Sequence, residues 1–219
     1  PLAVAGVAQP LRVGLLAWGP AVAEQWGTPT RRVDFYDLKN DVAAIVRCGP
    51  LRFERDTQPA LHPGRSAKIL AGEVPIGHIG ELHPAIAQEL DLGAAPILAQ
   101  LDLAAVLSAT VPISGQISRF PPVIRDLAFV LPEAVPAGDV LARIAEALAG
   151  APTGSLVRNV ELFDEYRGKG LENKEKSLAF RLWMQDTRRT LSEAEAAGAV
   201  DAIVARLERT IRARLRTGG

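Results

Sequence analysis

The sequence predicts an α+β protein of two domains, and three observations support this. The 219 residues exceed the length of a typical single domain, and 48% hydrophobic with 23% charged residues is a globular composition. Runs of alternating apolar and polar residues, typical of strands, are interspersed with runs at helical spacing. Residues 109–118 have neither pattern and little charge. We therefore predict domains over 1–110 and 118–219, joined by a linker over 111–117.

The first domain is predicted to be a mixed, largely antiparallel sheet with helices on it. Acidic residues begin its first helix, and Gly49-Pro50 follows the end of that helix. Gly72-Glu73 separates two alternating runs, which predicts a hairpin. The predicted elements are a strand over 11–17, a helix over 34–46, a strand over 51–55, hairpin strands over 66–71 and 74–82, a helix over 84–90, a strand over 96–102 and a helical turn over 103–107.

The second domain is predicted to have the order β-α-β-β-α-β, which is the split motif of ferredoxin-like folds. Ser192 and Glu195 have the spacing of a capping box, which places the start of the second helix. The predicted elements are a strand over 123–131, a helix over 137–149, strands over 156–166 and 177–184, a helix over 192–209 and a short strand near 213–216.

Composition limits the class of protein and its compartment. Cys48 is the only cysteine, which excludes an internal disulfide and suits a reducing cytosol. No apolar run reaches the roughly 20 residues of a membrane span, so a cytoplasmic protein without a membrane partner is expected. Acidic and basic residues both number 25, but residues 116–219 carry 16 basic and 14 acidic side chains. The second half is thus the better candidate for binding RNA.

No metal site or catalytic residue is predicted. His62 and His83 precede prolines, as in ordinary turns, and His78 has no second ligand at helical spacing. No serine lies in a Gly-x-Ser-x-Gly turn, which argues against a hydrolase. The tryptophans Trp26 and Trp183 are predicted to be core residues.

The most informative stretch is residues 159–184, where two alternating runs flank a connection rich in glycine and lysine. Its polar groups suit base edges and its cations suit phosphates, which indicates RNA binding. The candidates for base contact are Asp164, Tyr166 and Ser177. The candidates for phosphate contact are Arg158, Arg167, Lys169, Lys174 and Lys176.

Four segments of the second half resemble a known family. They are Phe120-Pro-Pro-Val-Ile-Arg-Asp-Leu-Ala, Leu162-Phe-Asp-Glu-Tyr-Arg-Gly-Lys-Gly, Lys176-Ser-Leu-Ala-Phe and Gln185-Asp-Thr-Arg-Arg-Thr-Leu-Ser-Glu-Ala-Glu. In this order they resemble the C-terminal, ferredoxin-like anticodon-binding domain of the bacterial phenylalanyl-tRNA synthetase beta subunit. The resemblance implies a C-terminal fragment of such a subunit.

The first half resembles the preceding segment of the same family. The matching segments are Val33-Asp-Phe-Tyr-Asp-Leu-Lys-Asn-Asp, Pro59-Ala-Leu-His-Pro-Gly-Arg-Ser-Ala and Gly77-His-Ile-Gly-Glu-Leu-His-Pro. The resemblance implies part of a class II synthetase-like antiparallel sheet domain without catalytic activity. Residues 97–107 lack the glycines and the arginine with which an active core of that class binds ATP. We therefore expect this chain to bind no cofactor, while the holoenzyme uses ATP and magnesium.

The resemblance also implies roles for individual residues. In the family, the residues corresponding to Asp164 and Ser177 contact the first anticodon base, which is a guanine. A carboxylate can accept hydrogen bonds from the N–H groups of guanine. Alternatively, Asp164 pairs with Arg181 or caps the loop, Tyr166 covers the sheet edge instead of stacking on a base, and the cations are solvated surface. Alternation alone leaves open which side chains of residues 162–166 lie on which face of the sheet.

The function implied is that of a noncatalytic beta subunit in a phenylalanine–tRNA ligase of two alpha and two beta subunits. Its expected partners are the phenylalanine tRNA and the catalytic alpha subunit, and DNA is not expected to be one. Two other interpretations stay open from the residues alone. One is a stand-alone ferredoxin-like module with a ligand-binding or regulatory role. The other is a purely structural interface piece.

Overall fold

The computed structural model describes residues 2–4, 6–47, 49–108 and 117–216, with only the backbone at 2–4 and 8. The chain divides into two compact units, Pro1–Ile113 and Ser114–Gly219. Each unit is built on an antiparallel sheet with helices, so the predicted α+β class is confirmed. The predicted linker, apart from Ile117, lies outside the described residues.

The first unit contains a five-stranded antiparallel sheet in the order β3-β7-β6-β5-β4. A hairpin of β1 and β2 precedes it and was not predicted, and β5 begins five residues before its predicted start. The elements are β1 (Leu2–Val4), β2 (Val7–Gln9), β3 (Arg12–Ala17), α1 (Phe35–Ile45), β4 (Leu51–Arg55), β5 (Leu61–Ala71), β6 (Val74–Leu82), α2 (Pro84–Glu89), β7 (Ile97–Asp102) and α3 (Leu103–Leu107).

Helix α1 packs on one face of this sheet through Leu38 and Val42, which lie in one core with Ile69, Ile79 and Leu101. Alternation along the strands explains the arrangement, because these sheet residues share one face. The start of α1 is fixed by a capping box between Asp34 and Asp37.

The opposite face of the sheet carries polar side chains, most of them in ion pairs. Lys68 pairs with Glu54 at 2.8 Å, and Nδ1 of His78 lies 3.3 Å from Asp56. His62 and His83 instead accept backbone N–H groups within their own turns. Across the described ranges, no three His, Cys, Asp or Glu side chains gather in a way that could hold a metal ion. Among those residues, no helix is both long and apolar enough for a membrane span.

The prediction that Trp26 is a core residue is wrong. Trp26 is fully exposed in the connection between β3 and α1, and Trp18, which donates to the carbonyl of Ala94, is 62% exposed. Aromatic character indicates burial only where the side chain has an element to pack on.

The second unit has a four-stranded antiparallel sheet in the order β11-β8-β10-β9. Its elements follow the predicted order, with a short 3₁₀ turn before the second strand. They are β8 (Val123–Pro132), α4 (Ala137–Gly150), the 3₁₀ turn (Gly154–Leu156), β9 (Val157–Tyr166), β10 (Glu175–Met184), α5 (Glu193–Ile211) and β11 (Arg214–Leu215). The ferredoxin-like β-α-β-β-α-β order is therefore confirmed.

Both helices of this unit cover the same face of the sheet. Every second residue of β10, from Leu178 to Met184, is completely buried on that face. Helix α4 contributes Ile144 to the core, and α5 contributes Ile203 and Leu207. Because strand side chains alternate, the residues of β10 between these buried ones lie on the face that neither α4 nor α5 covers. We call this second face the open face.

Helix α5 begins with the predicted capping box, and this predicts a pH dependence. Arg189 first, and then the backbone and hydroxyl of Ser192, lower the pKa of Glu195 from 4.5 to about 2. A carboxyl group whose pKa is lowered on folding stabilises the folded state at pH values above its ordinary pKa. This stabilisation disappears as the pH falls towards the lowered pKa.

We expect Glu195→Gln to lose stability at neutral pH and to show a smaller fall in Tm than the wild type between pH 4.5 and 2. Thermal unfolding at neutral pH and at steps between pH 4.5 and 2 measures both effects. Glu208→Gln, in the same helix but outside the cap, is the matched control. Equal falls in wild type and Glu195→Gln would contradict the assignment.

Candidate RNA-binding surface

The open face of the second unit is defined by the register of its strands. Ser177, Ala179, Arg181 and Trp183 of β10 lie there, because they alternate with the buried residues. Trp183 is thus half-buried on this face and not the core residue predicted. The partners of these four residues across the sheet share this face. These partners are Tyr166, Asp164, Glu161 and Asn159 on β9, and Val130, Ala128, Asp126 and Ile124 on β8.

A bulge in β9 decides which face Asp164 occupies. Asp164 pairs with Ala179 and Leu162 pairs with Phe180, so Phe163 is an extra residue without a partner. Leu162 packs against the core, whereas Asp164 lies on the open face. The two residues have the same parity in the sequence, and without the bulge both would lie on one face.

Asp164 is exposed, and within the described part of the chain its carboxylate has no hydrogen-bond or ion-pair partner. Arg181, the partner considered from the sequence, binds Asp126 instead through Nε at 2.8 Å and Nη2 at 2.6 Å. Asp164 therefore offers free acceptor oxygens on the open face.

Tyr166 lies two residues further along β9 and is 38% exposed. Its hydroxyl donates to the carbonyl of Lys169 at 3.2 Å, and the Arg216 guanidinium lies 5.5 Å from the ring centroid. A side chain at Gly168 would place its Cβ 2.7 Å from the Tyr166 hydroxyl, so glycine permits this close approach. The ring is thus held between the loop and the end of the chain.

Ser177 pairs with Tyr166 across the strands but is only 3% exposed. It lies on the open face, directly beside Tyr166 and two residues from Ala179, the partner of Asp164. In this conformation its neighbours cover it, so a base would reach the hydroxyl only after a side chain moves aside.

The five phosphate candidates are not equivalent in the structure. Lys169 and Lys174 are exposed in the loop between β9 and β10, and neither has a partner among the described residues. Arg167 is paired with both Glu133 and Glu165. The loop therefore presents two free cations and one compensated cation.

The structure does not support Lys176 as a phosphate contact. Lys176 alternates with Ser177 and lies on the helix side of β10, where it is 6% exposed. Its ammonium is 3.8 Å from Glu165. A buried, paired ammonium is not placed to meet a phosphate, and the strand's alternation, not its charge, decides the orientation.

Arg158 lies at the other end of β9 from the loop. It stands in a second irregularity of the strand and donates from Nε to the carbonyl of Gln185 at 3.0 Å. Eight residues of extended strand span about 26 Å, so Arg158 and the loop cations do not form one patch.

Two residues of this surface were missed by sequence reasoning. Neither Phe163 nor Arg216 is among the residues predicted to contact RNA. Arg216 reaches Tyr166 because β11 joins the sheet beside β8, fifty residues further along the chain. No local pattern could have signalled that contact, since it depends on strand order alone.

Comparison with protein families matches both units. The family model described as ferredoxin-fold anticodon binding domain matches residues 118–216. The model described as phenylalanyl tRNA synthetase beta chain CLM domain matches residues 3–103.

Individual relatives agree with these matches. The phenylalanine–tRNA ligase beta subunit of Aromatoleum aromaticum is 50% identical over 97% of this chain and 26% of its own length. The proteins of the same name from Bordetella parapertussis and Dechloromonas aromatica are 48% and 46% identical, over 94% and 97% of this chain and 27% and 26% of theirs. The chain thus spans about a quarter of the length of these relatives. With both units matched in order, the chain belongs to the phenylalanyl-tRNA synthetase beta chain family.

Proposed function

We propose that this chain is part of the noncatalytic beta subunit of a phenylalanine–tRNA ligase and binds the anticodon stem-loop of the phenylalanine tRNA. The observation that supports it most is the coincidence of an anticodon-binding family match with an uncovered sheet face carrying Asp164 and Tyr166. Single-stranded bases are typically recognised on such a face by stacking and by hydrogen bonds to their edges.

Asp164 is proposed to recognise the first anticodon base. A carboxylate with free oxygens accepts from both the ring N–H and the exocyclic amino group of guanine, a pair of donors that other bases do not offer together. Tyr166, two residues away on the same face, would stack on that base. Ser177 would add a hydroxyl beside them once uncovered.

Lys169 and Lys174 are proposed as the phosphate contacts. They lie in the loop that follows Tyr166, so a backbone leading to a base at Asp164 would pass them. Their charges are uncompensated among the described residues, unlike that of Arg167. Such contacts add affinity without recognising sequence.

The whole assembly is proposed as a heterotetramer of two alpha and two beta subunits in the cytoplasm, in which the alpha subunit uses ATP and magnesium. The first unit of this chain would then be structural. Its β7–α3 junction has a helix of only five residues and no arginine, and the polar face of its sheet holds the ion pair of Lys68 and Glu54. No residue of this chain is proposed to be catalytic.

We therefore expect the purified chain neither to form phenylalanyl-adenylate nor to exchange pyrophosphate into ATP. Radiolabelled pyrophosphate exchange with phenylalanine and ATP measures this. A complete phenylalanine–tRNA ligase serves as the positive control. Turnover above the background of a heat-denatured sample would show that the chain has its own active site.

Binding of tRNA tests the proposal directly. The chain, and a complete ligase containing it, would be titrated with phenylalanine tRNA and with a transcript in which the first anticodon guanine is replaced. We expect tighter binding of the guanine-containing transcript. Equal affinity for the two transcripts would contradict the proposal. So would tRNA binding by the complete ligase that does not depend on this chain. Either result would favour the regulatory or structural interpretation.

Removal of one loop cation should weaken all RNAs alike. We expect Lys169→Ala to lower affinity for both transcripts by the same factor and to reduce the slope of log K against log salt concentration by about one. Titrations at several salt concentrations give this slope. Arg143→Ala, on the helix-covered side of the same unit, is the control and should leave the slope unchanged. An unchanged slope for Lys169→Ala would remove that residue from the phosphate contacts.

A further inference from the structure

Phe163 is an exposed aromatic side chain on β9, the edge strand of the open face. It is the extra residue of the bulge in β9, and it is 46% exposed although the unit has a well-filled core next to it. Burying a phenylalanine is normally favourable, so the bulge keeps apolar surface in solvent. Bulges frequently direct a side chain to a functional position.

The ring of Phe163 rests on a guanidinium that is itself fixed. Arg181 lies 4.8 Å from the ring centroid. The two hydrogen bonds from Arg181 to Asp126 hold the guanidinium in a bidentate pair across the strands. Since almost half of Phe163 stays exposed, Arg181 covers only part of the ring.

This arrangement suits a flat apolar partner better than a phosphate. The carboxylate of Asp126 compensates the charge of Arg181, so the pair attracts anions weakly. The exposed ring next to a fixed guanidinium is instead the kind of surface on which unstacked bases lie.

We propose that Phe163, supported by Arg181, forms a second stacking position for an unpaired base of the bound RNA. The proposal rests on the RNA-binding function proposed above and adds a base site to it. Phe163 and Tyr166 lie three residues apart, about 10 Å along an extended strand, so each ring serves a different base. Asp164 lies between them.

The second position accepts any base. A phenylalanine ring has no hydrogen-bonding group, and two of the three guanidinium nitrogens of Arg181 are occupied by Asp126. Stacking of this kind tolerates every base, because each has a flat face. The position therefore adds affinity, while Asp164 supplies discrimination.

The experiment uses the full chain and an anticodon stem-loop RNA carrying 2-aminopurine at one unpaired loop position at a time, the first anticodon position excepted. Fluorescence of this base analogue falls when it stacks. We expect binding to quench it at one position. In Phe163→Leu this quenching should disappear and affinity should fall about tenfold, whereas Phe163→Trp should retain both.

Phe163→Leu keeps an apolar side chain outside the core, so its Tm serves as the check on folding. Preference for guanine at the first anticodon position should persist in this variant. If the preference persists but quenching and affinity match the wild type, the second stacking position is overturned and the proposed function stands. If wild type binds no stem-loop RNA, either as the chain or within a complete ligase, both are overturned.

Discussion

Asp164→Asn should weaken binding of the RNA with guanine at the first anticodon position by about 1–3 kcal/mol, or roughly 5- to 150-fold. The carboxylate lies on the open face without a partner in the described part of the chain, so both oxygens are available. The amide replaces one acceptor by a donor, which would face a donor of guanine. An RNA with another base at this position has no such pair to lose and should be affected little.

The matched control is Glu161→Gln, because Glu161 lies on the same strand and face and undergoes the same change of charge. Titrations of wild type and both variants with the two RNAs, in the complete ligase if the isolated chain binds weakly, measure the discrimination. Equal weakening of both RNAs by Asp164→Asn would make Asp164 a structural residue and the base assignment wrong.

Phe180→Ala should lower the free energy of unfolding of the second unit by about 3–5 kcal/mol. Phe180 is completely buried, and its ring centroid lies 6.4 Å from that of Phe129. The truncation leaves a cavity between the sheet and the helices, whose backbones cannot close it fully. This loss is a large fraction of the stability of a typical domain.

Phe163→Ala is the matched control, since it removes the same atoms from the neighbouring strand on the opposite face. Only partial burial and the contact with Arg181 are lost, so about 1 kcal/mol or less is expected. Urea unfolding followed by Trp183 fluorescence, with exposed Trp18 and Trp26 replaced by phenylalanine, reports on this unit alone. Equal losses for the two variants would contradict the assignment of the faces.

The sequence alone determined most elements of both units and the order of those in the second, but not the hairpin of β1 and β2 or the first five residues of β5. Hydrophobic periodicity and terminal signals are local, so the chain itself specifies where helices and strands begin and end. The capping box of Ser192 and Glu195 forms as predicted. Helix α1 begins directly after Asp34, where the acidic residues predict its start. The family resemblance likewise pointed to Asp164 and Ser177 without any structure.

Only the tertiary structure decided which side chains share a surface. The bulge at Phe163 separates Leu162 from Asp164, burial on the helix side removes Lys176 from the surface, and strand order brings Arg216 to Tyr166. Register and strand order are relations between segments that are distant in the chain, and their energies come from pairing and core packing. A single extra residue in one strand reverses the alternation of its side chains beyond that point. Its position depends on the pairing with the neighbouring strand, so no local pattern in the strand itself shows it.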